Sequence, residues 1–140
     1  MTILDTNVLS ELMRPQPSSR VVDWIAYQPA EELYTTAITE AEIFYGIELL
    51  SKGKRREKLL LAVESLFTED LGSRVFAFAS DAAREFARIA AARRALGRPI
   101  SNADAQIAAI ARTQRARLAT RNVADFEDCG IEVVDPWEKA

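Results

Sequence analysis

Five short β-favouring runs alternate with stretches of helical spacing from one end of the chain to the other. The runs are Ile3-Leu4, Leu33-Tyr34-Thr35-Thr36, Val75-Phe76-Ala77-Phe78, Leu118-Ala119-Thr120 and Ile131-Glu132-Val133-Val134. Helical patterns fill residues 8–13, 21–27, 39–50, 58–71, 80–96 and 100–111 between them. Proline and glycine punctuate the joins at Arg14-Pro15-Gln16-Pro17, Gln28-Pro29, Gly72 and Gly97-Arg98-Pro99. This alternation predicts an α/β domain, with a mostly parallel sheet of four to five short strands and helices on both faces. The 140 residues suffice for a single domain, 1–140, with a substantial core, and contain no internal repeat or linker.

A parallel sheet of this kind carries its ligands at the carboxyl ends of its strands. Asp5 stands where the first strand should end, and Asp125 just past the fourth. Glu42 shares a helical stripe with Ile38, Tyr45, Gly46 and Leu49; Asp104 shares one with Ile107, Ala108 and Ala111. Strand ends and the following helix starts lie on one edge, so all four acids can converge there. Each also has a plain structural reading. Asp5 can cap the helix that follows it. Thr39-Glu40-Ala41-Glu42 and Ser101-Asn102-Ala103-Asp104 both match capping boxes. Asp125 reads equally as a turn aspartate.

What the chain lacks narrows the chemistry. With no histidine among its residues, Ser-His-Asp and Cys-His catalysis and mixed Cys/His zinc sites are excluded. The one cysteine, Cys129, cannot form an intramolecular disulfide, which fits a reducing cytoplasm. No apolar run is long enough to span a membrane, and no signal-peptide pattern opens the chain. A net charge of −3 argues against passive coating of nucleic acid. Clustered carboxylates repel one another and suit a hard cation, Mg²⁺ or Mn²⁺. Such a site can cleave phosphodiesters through a metal-activated water.

Leu4-Asp5-Thr6-Asn7, Thr39-Glu40-Ala41-Glu42, Asn102-Ala103-Asp104 and Thr120-Arg121-Asn122-Val123-Ala124-Asp125-Phe126 occur in this order and at these spacings. In this the chain resembles the PIN-domain ribonucleases, most closely the VapC and FitB group of toxin–antitoxin toxins. The resemblance implies a three-layer α/β/α PIN fold and a Mg²⁺- or Mn²⁺-dependent endoribonuclease. It makes Asp5, Glu42 and Asp104 the main metal-holding and catalytic acids and Asp125 a fourth. Thr6, Asn7, Thr120 and Asn122 become supporting polar residues. It further implies an RNA substrate, a cognate antitoxin whose tail lies across the toxin, a homodimer able to pair further, and promoter DNA contacted only through the antitoxin. The arginines of residues 80–96 and the basic turn near Lys54 read as solvated surface or contacts to the RNA backbone.

Two other readings remain at this level. An aspartyl-phosphate phosphatase using Asp5 would want a second aspartate two residues on, where Asn7 stands, and a nearby lysine. A non-catalytic protein-interaction module would use all four acids only as caps and turns. No Gly-x-Gly-x-x-Gly follows the first strand, which leaves a dinucleotide-binding domain without support.

Overall fold

The computed structural model describes residues 1–138. Its strands are β1 (Thr2–Leu4), β2 (Leu33–Thr36), β3 (Val75–Phe76), β4 (Arg117–Ala119) and β5 (Val133–Val134). The helices are α1 (Thr6–Leu12), α2 (Ser19–Tyr27), α3 (Ala37–Glu48), α4 (Lys54–Ser65), α5 (Ser80–Ala95) and α6 (Asn102–Gln114). The five strands pair in the order β3-β2-β1-β4-β5, and every pairing is parallel. Ile3 faces Tyr34 on one side and Leu118 on the other, which makes β1 the centre of the sheet.

Successive residues of a strand point to opposite faces, and this divides the core in two. Ile3 and Leu118 pack with Ile89, Ile107, Ile110 and Phe126, under α5 and α6. Leu4 and Ala119 pack with Val8, Val21, Ile43, Ile47 and Val63, under α1 to α4. The sheet is therefore sandwiched between two helical layers, as the alternation of strands and helices predicts. The contact between α5 and α6 is the most extensive between helices. Small residues of these two helices, Ala82, Ala105, Ala108 and Ala109, are buried in the core on this side of the sheet.

The connections explain where the crevice opens. After β1 the chain moves outward to β2 and β3; it then returns to the other side of β1 as β4 and moves outward again to β5. The order reverses between β1 and β4, and at such a switch point the loops leaving the two strands diverge and leave a cleft. Asp5 follows β1 and Thr120 follows β4, so both stand at that cleft.

Local chemistry sets the helix ends. Asp5 is the N-cap of α1 and accepts the Thr6 amide at 2.8 Å. The cap of α3 is Thr36, whose hydroxyl accepts the Thr39 amide at 3.1 Å. The helix therefore starts earlier than Thr39, and the capping box offered as the alternative reading of Thr39–Glu42 does not form. The expected stripe on this helix also differs. Thr39, Ile43 and Ile47 face the core, while Tyr45 and Leu49 are 65% and 68% exposed. The β-branched Ile43 and Ile47 pack with Leu4, Val8 and Val63, and this burial decides which face of the helix is turned inward.

The basic turn 52–56 is largely helix. α4 begins at Lys54, and Arg56 donates from Nε to the Ile47 carbonyl at 3.2 Å, closing the end of α3. α4 gives way to a wide π-helical turn, Leu66–Asp70, before Gly72 at φ +54. α5 begins after Ala79 rather than with a Ser80 cap, although Asp81 accepts the Ala82 amide. Among the described residues, no helix is long and apolar enough to cross a membrane.

Candidate active site

The cleft between β1 and β4 is organised around Asp5, which is only 5% exposed. Its Oδ1 accepts the Thr6 amide, and its Oδ2 accepts the Thr120 hydroxyl at 2.7 Å. Thr120 itself accepts from the Asn7 side-chain amide and from the Asn122 backbone amide, both at 3.1 Å. Asn7 Oδ1 in turn accepts the Arg121 amide at 3.3 Å. The turn leaving β4 is thus tied to the turn leaving β1 through side chains. Asn122 takes part through its backbone N–H; its side chain is not engaged in this network.

Glu42 joins the same edge from α3. Thr6 Oγ1 lies 2.8 Å from Glu42 Oε1 and 3.0 Å from Thr39 Oγ1. A hydroxyl has one proton, and the charged acceptor takes it. Thr39 then donates to Thr6, giving a chain Thr39–Thr6–Glu42. Glu42 is exposed, and its carboxylate reaches out to β1 instead of folding back on its own helix. Thr39 is part of this network although the sequence pattern offered it only as a cap.

Asp104 enters from the opposite helical layer, at the start of α6. The Ser101 hydroxyl accepts the Asp104 amide at 3.2 Å, so Ser101 is the cap, as its place before the helix predicts. The Asp104 carboxylate is half-buried. Burial raises it above the ordinary aspartate range, and the charges of Asp125 and Glu42 raise it further; the Ser101 hydroxyl and the Arg93 guanidinium act the other way. Burial likewise dominates at Asp5, whose carboxyl is pushed up to about 6. The hydrogen bonds from Thr120 and the Thr6 amide hold it down, while Asp104 and Glu42 add to the rise. Asp125 lies in a 3-10 turn, Val123–Phe126, with its side chain exposed. Its charge is among those that raise Asp104.

The charges of Asp104 and Glu42 thus bear on Asp5, and those of Asp125 and Glu42 on Asp104. Their oxygens, together with hydroxyl and amide groups, form a hard donor set of the kind that Mg²⁺ and Mn²⁺ favour. The mutual destabilisation of the acids is what a cation would relieve. Among the described residues, no three acidic side chains converge closely enough to hold a metal ion by themselves.

Beside the acids runs a groove of about 690 Å³ between α1, α3 and α4. Its walls are apolar, with Met13, Ile43, Ile47, Leu59 and Val63. Arg14, Arg55 and Lys58 line it too, and it reaches Thr6 and Glu42.

Arg93 also belongs to this part of the molecule, although its sequence context suggested a surface arginine. It continues the stripe Ala82, Phe86, Ile89 of α5 and is 5% exposed. Arg84, Arg88 and Arg94 are exposed, as expected.

Fold and site together define a parallel α/β domain with an acidic cleft at the switch point of its sheet. The chain belongs to the PIN-domain family, whose match extends over residues 2–130. It is 41% identical over 138 residues to the plasmid stability protein StbB of Pseudomonas syringae pv. tomato, covering 99% of both chains. It is 39% identical over 140 residues to the VapC ribonuclease Y4jK of Sinorhizobium fredii, covering 100% of both. Among solved structures it resembles a chain of FitAB bound to a DNA fragment, with a TM-score of 0.94, 36% identity, and coverage of 100% of this chain and 98% of that one.

Proposed function

We propose that this chain is a Mg²⁺- or Mn²⁺-dependent endoribonuclease and the toxin of a toxin–antitoxin pair. The observation that carries the reading is the gathering of acids at the β1/β4 cleft: Asp5 buried and held by Thr120 and the Thr6 amide, Glu42 held by Thr6, and Asp104 in the first turn of α6. Capping accounts for one oxygen of Asp5 and for neither the Glu42 nor the Asp104 carboxylate, since Glu42 is bonded to the Thr6 side chain and Ser101 caps α6. The similarity to a VapC ribonuclease over its whole length supports the same reading.

Asp5, Glu42 and Asp104 would hold the ion, directly or through water, with Asp125 assisting. When bound, the ion supplies an activated water and neutralises charge on the scissile phosphate. Thr120 and Asn7 keep the Asp5 carboxylate in one orientation. Thr6 and Thr39 do the same for Glu42. Ser101 fixes the first turn of α6 and so the place from which Asp104 projects. The phosphodiester breaks with water adding to phosphorus and the 3′ oxygen leaving with a proton from solvent. Asp125 is placed to help orient the attacking water.

The groove beside the acids suits a partner segment with an apolar face. We read it as the seat of the antitoxin tail. A basic side chain of that tail would meet Glu42 where the groove reaches the acids, and so block the site. Promoter DNA would be reached only through the antitoxin; the related FitAB was solved bound to DNA. A cytoplasmic homodimer of single-domain chains, able to pair further, completes the reading.

The test is cleavage of a mixed tRNA and structured-RNA pool by the purified protein in Mg²⁺ or Mn²⁺. Parallel samples contain EDTA or the Asp104→Asn variant. Cleavage lost in both controls supports the reading. Cleavage that survives Asp104→Asn refutes the assigned site.

A further inference from the structure

The buried guanidinium of Arg93 has an unusual set of partners. Nε donates to the Arg98 carbonyl at 2.8 Å. Nη1 donates to the carbonyls of Asp125 and Glu127 at 2.7 and 3.1 Å and lies 3.7 Å from Cys129 Sγ. Among the described residues it takes part in no ion pair. A charge taken out of water without a carboxylate partner is costly. A solvated lysine, or an apolar residue on the same stripe, would avoid that cost. What arginine alone offers is a rigid planar fork that can reach several carbonyls at once.

The carbonyls it holds are informative. Those of Asp125 and Glu127 belong to the turn that carries Asp125. That of Arg98 belongs to the segment that leads into α6 and Asp104. The anchor itself is stiff. The Arg98 amide returns to the Arg93 carbonyl at 3.0 Å and the Gly97 amide to that of Arg94 at 3.0 Å, closing α5 with a Schellman turn. Gly97 takes the left-handed φ of +74 that this turn requires. On the outside, Arg98 pairs with Glu127 and Asp128.

We propose that Arg93 is a positioning residue of the acidic site, holding the Asp125 turn by its backbone so that the Asp125 carboxylate stands beside Asp104 for cation binding. The inference rests on the reading of Asp104 and Asp125 as metal-holding acids. Its charge also favours the ionised form of Asp104, but the clamp is geometric. Lysine at this position would keep the charge and lose the fork.

Mn²⁺ affinity of the full chain, measured by electron paramagnetic resonance without substrate, tests this. The variants are Arg93→Lys, Asp125→Asn and the two combined, each with a urea unfolding curve. Arg93→Lys is expected to weaken Mn²⁺ binding roughly tenfold, as loss of a residue that orients a ligand does. The double variant should bind no more weakly than Asp125→Asn alone, because both changes remove one interaction. Wild-type affinity in Arg93→Lys, or two effects that multiply in the double variant, overturns the proposal and leaves Asp125 in the site. Unchanged affinity in Asp125→Asn overturns both the proposal and the role of Asp125, while Asp104→Asn still reports on the rest of the site. If Arg93→Lys does not fold, Arg93→Gln takes its place. Arg98→Ala removes only the outer ion pairs and should bind Mn²⁺ as wild type. A tenfold loss there would move the positioning role from Arg93 to those pairs.

Discussion

The Thr120 hydroxyl donates to Asp5 Oδ2 at 2.7 Å while accepting two N–H groups, from Asn7 and Asn122. Its proton and both lone pairs are committed. Asp5 is therefore held by a group that can neither rotate away nor accept another donor.

Thr120→Val keeps the shape and removes the hydroxyl. The Asn122 amide and the Asn7 side chain then lose an acceptor, and unfolding should become easier by about 1–3 kcal/mol. The Asp5 carboxyl loses a bond that holds it down, so it should rise further. Mn²⁺ affinity should fall by roughly 10–100-fold. Urea unfolding and a Mn²⁺ titration at pH 7 measure the two effects separately.

Asp5 should make metal-free stability depend on pH in the direction opposite to that of an ion-paired aspartate. Between its ordinary 3.8 and about 6, the folded chain keeps a proton that the unfolded chain has shed. Stability contributed by the protonated form is complete below 3.8 and is lost as pH rises through 6. At ~1.4 kcal/mol per pH unit the loss is about 3 kcal/mol. The difference in unfolding free energy between wild type and Asp5→Asn, measured in EDTA from pH 3.5 to 7, should shift by that amount against the wild type. A flat difference would show that burial does not raise Asp5.

Asp104→Asn should separate function from folding. Its carboxylate is raised by burial and by neighbouring acids, so a neutral amide removes repulsion and the melting temperature should hold or rise. RNA cleavage should fall roughly 100-fold or more, because a bound divalent ion contributes several kcal/mol of charge stabilisation. Differential scanning fluorimetry beside the cleavage assay reads both.

Gly130→Ala should destabilise the chain by about 1–2 kcal/mol through its backbone. Gly130 has φ +72, and an added Cβ would stand 3.3 Å from the Arg112 guanidinium. Urea unfolding measures the loss; a neutral result would mean that the turn before β5 relaxes freely.

Much of this fold is written in local chemistry. Ile3 and Leu4 forecast a buried strand, and its two neighbours in sequence do go to opposite core layers. Asp5 reads as a cap and is one, yet the second oxygen that ties it to Thr120 depends on a residue far along the chain. No periodicity reveals that pairing. Glu42 was expected on an apolar stripe with Tyr45 and Leu49. In α3 it is Thr39, Ile43 and Ile47 that are buried instead, because the β-branched pair packs with Leu4, Val8 and Val63. Glu42 still reaches the cleft because it borders that face. Arg93 could have been found from its place on the Ala82–Phe86–Ile89 stripe. A charged residue on such a stripe is the informative exception, and here it lay among solvated arginines.

The bond between Asp5 and Thr120 joins residues 115 positions apart, and Asp104 reaches the cleft from a helix made late in the chain. A ribosome must therefore have released the chain through Thr120 before the acids can meet. Early fragments hold Asp5 and Glu42 without the partners that orient and crowd them. If the cleft cuts RNA, the machinery making the protein is shielded from it until Asp104 and Thr120 have emerged. Any antitoxin that recognises the assembled edge has nothing to bind before then.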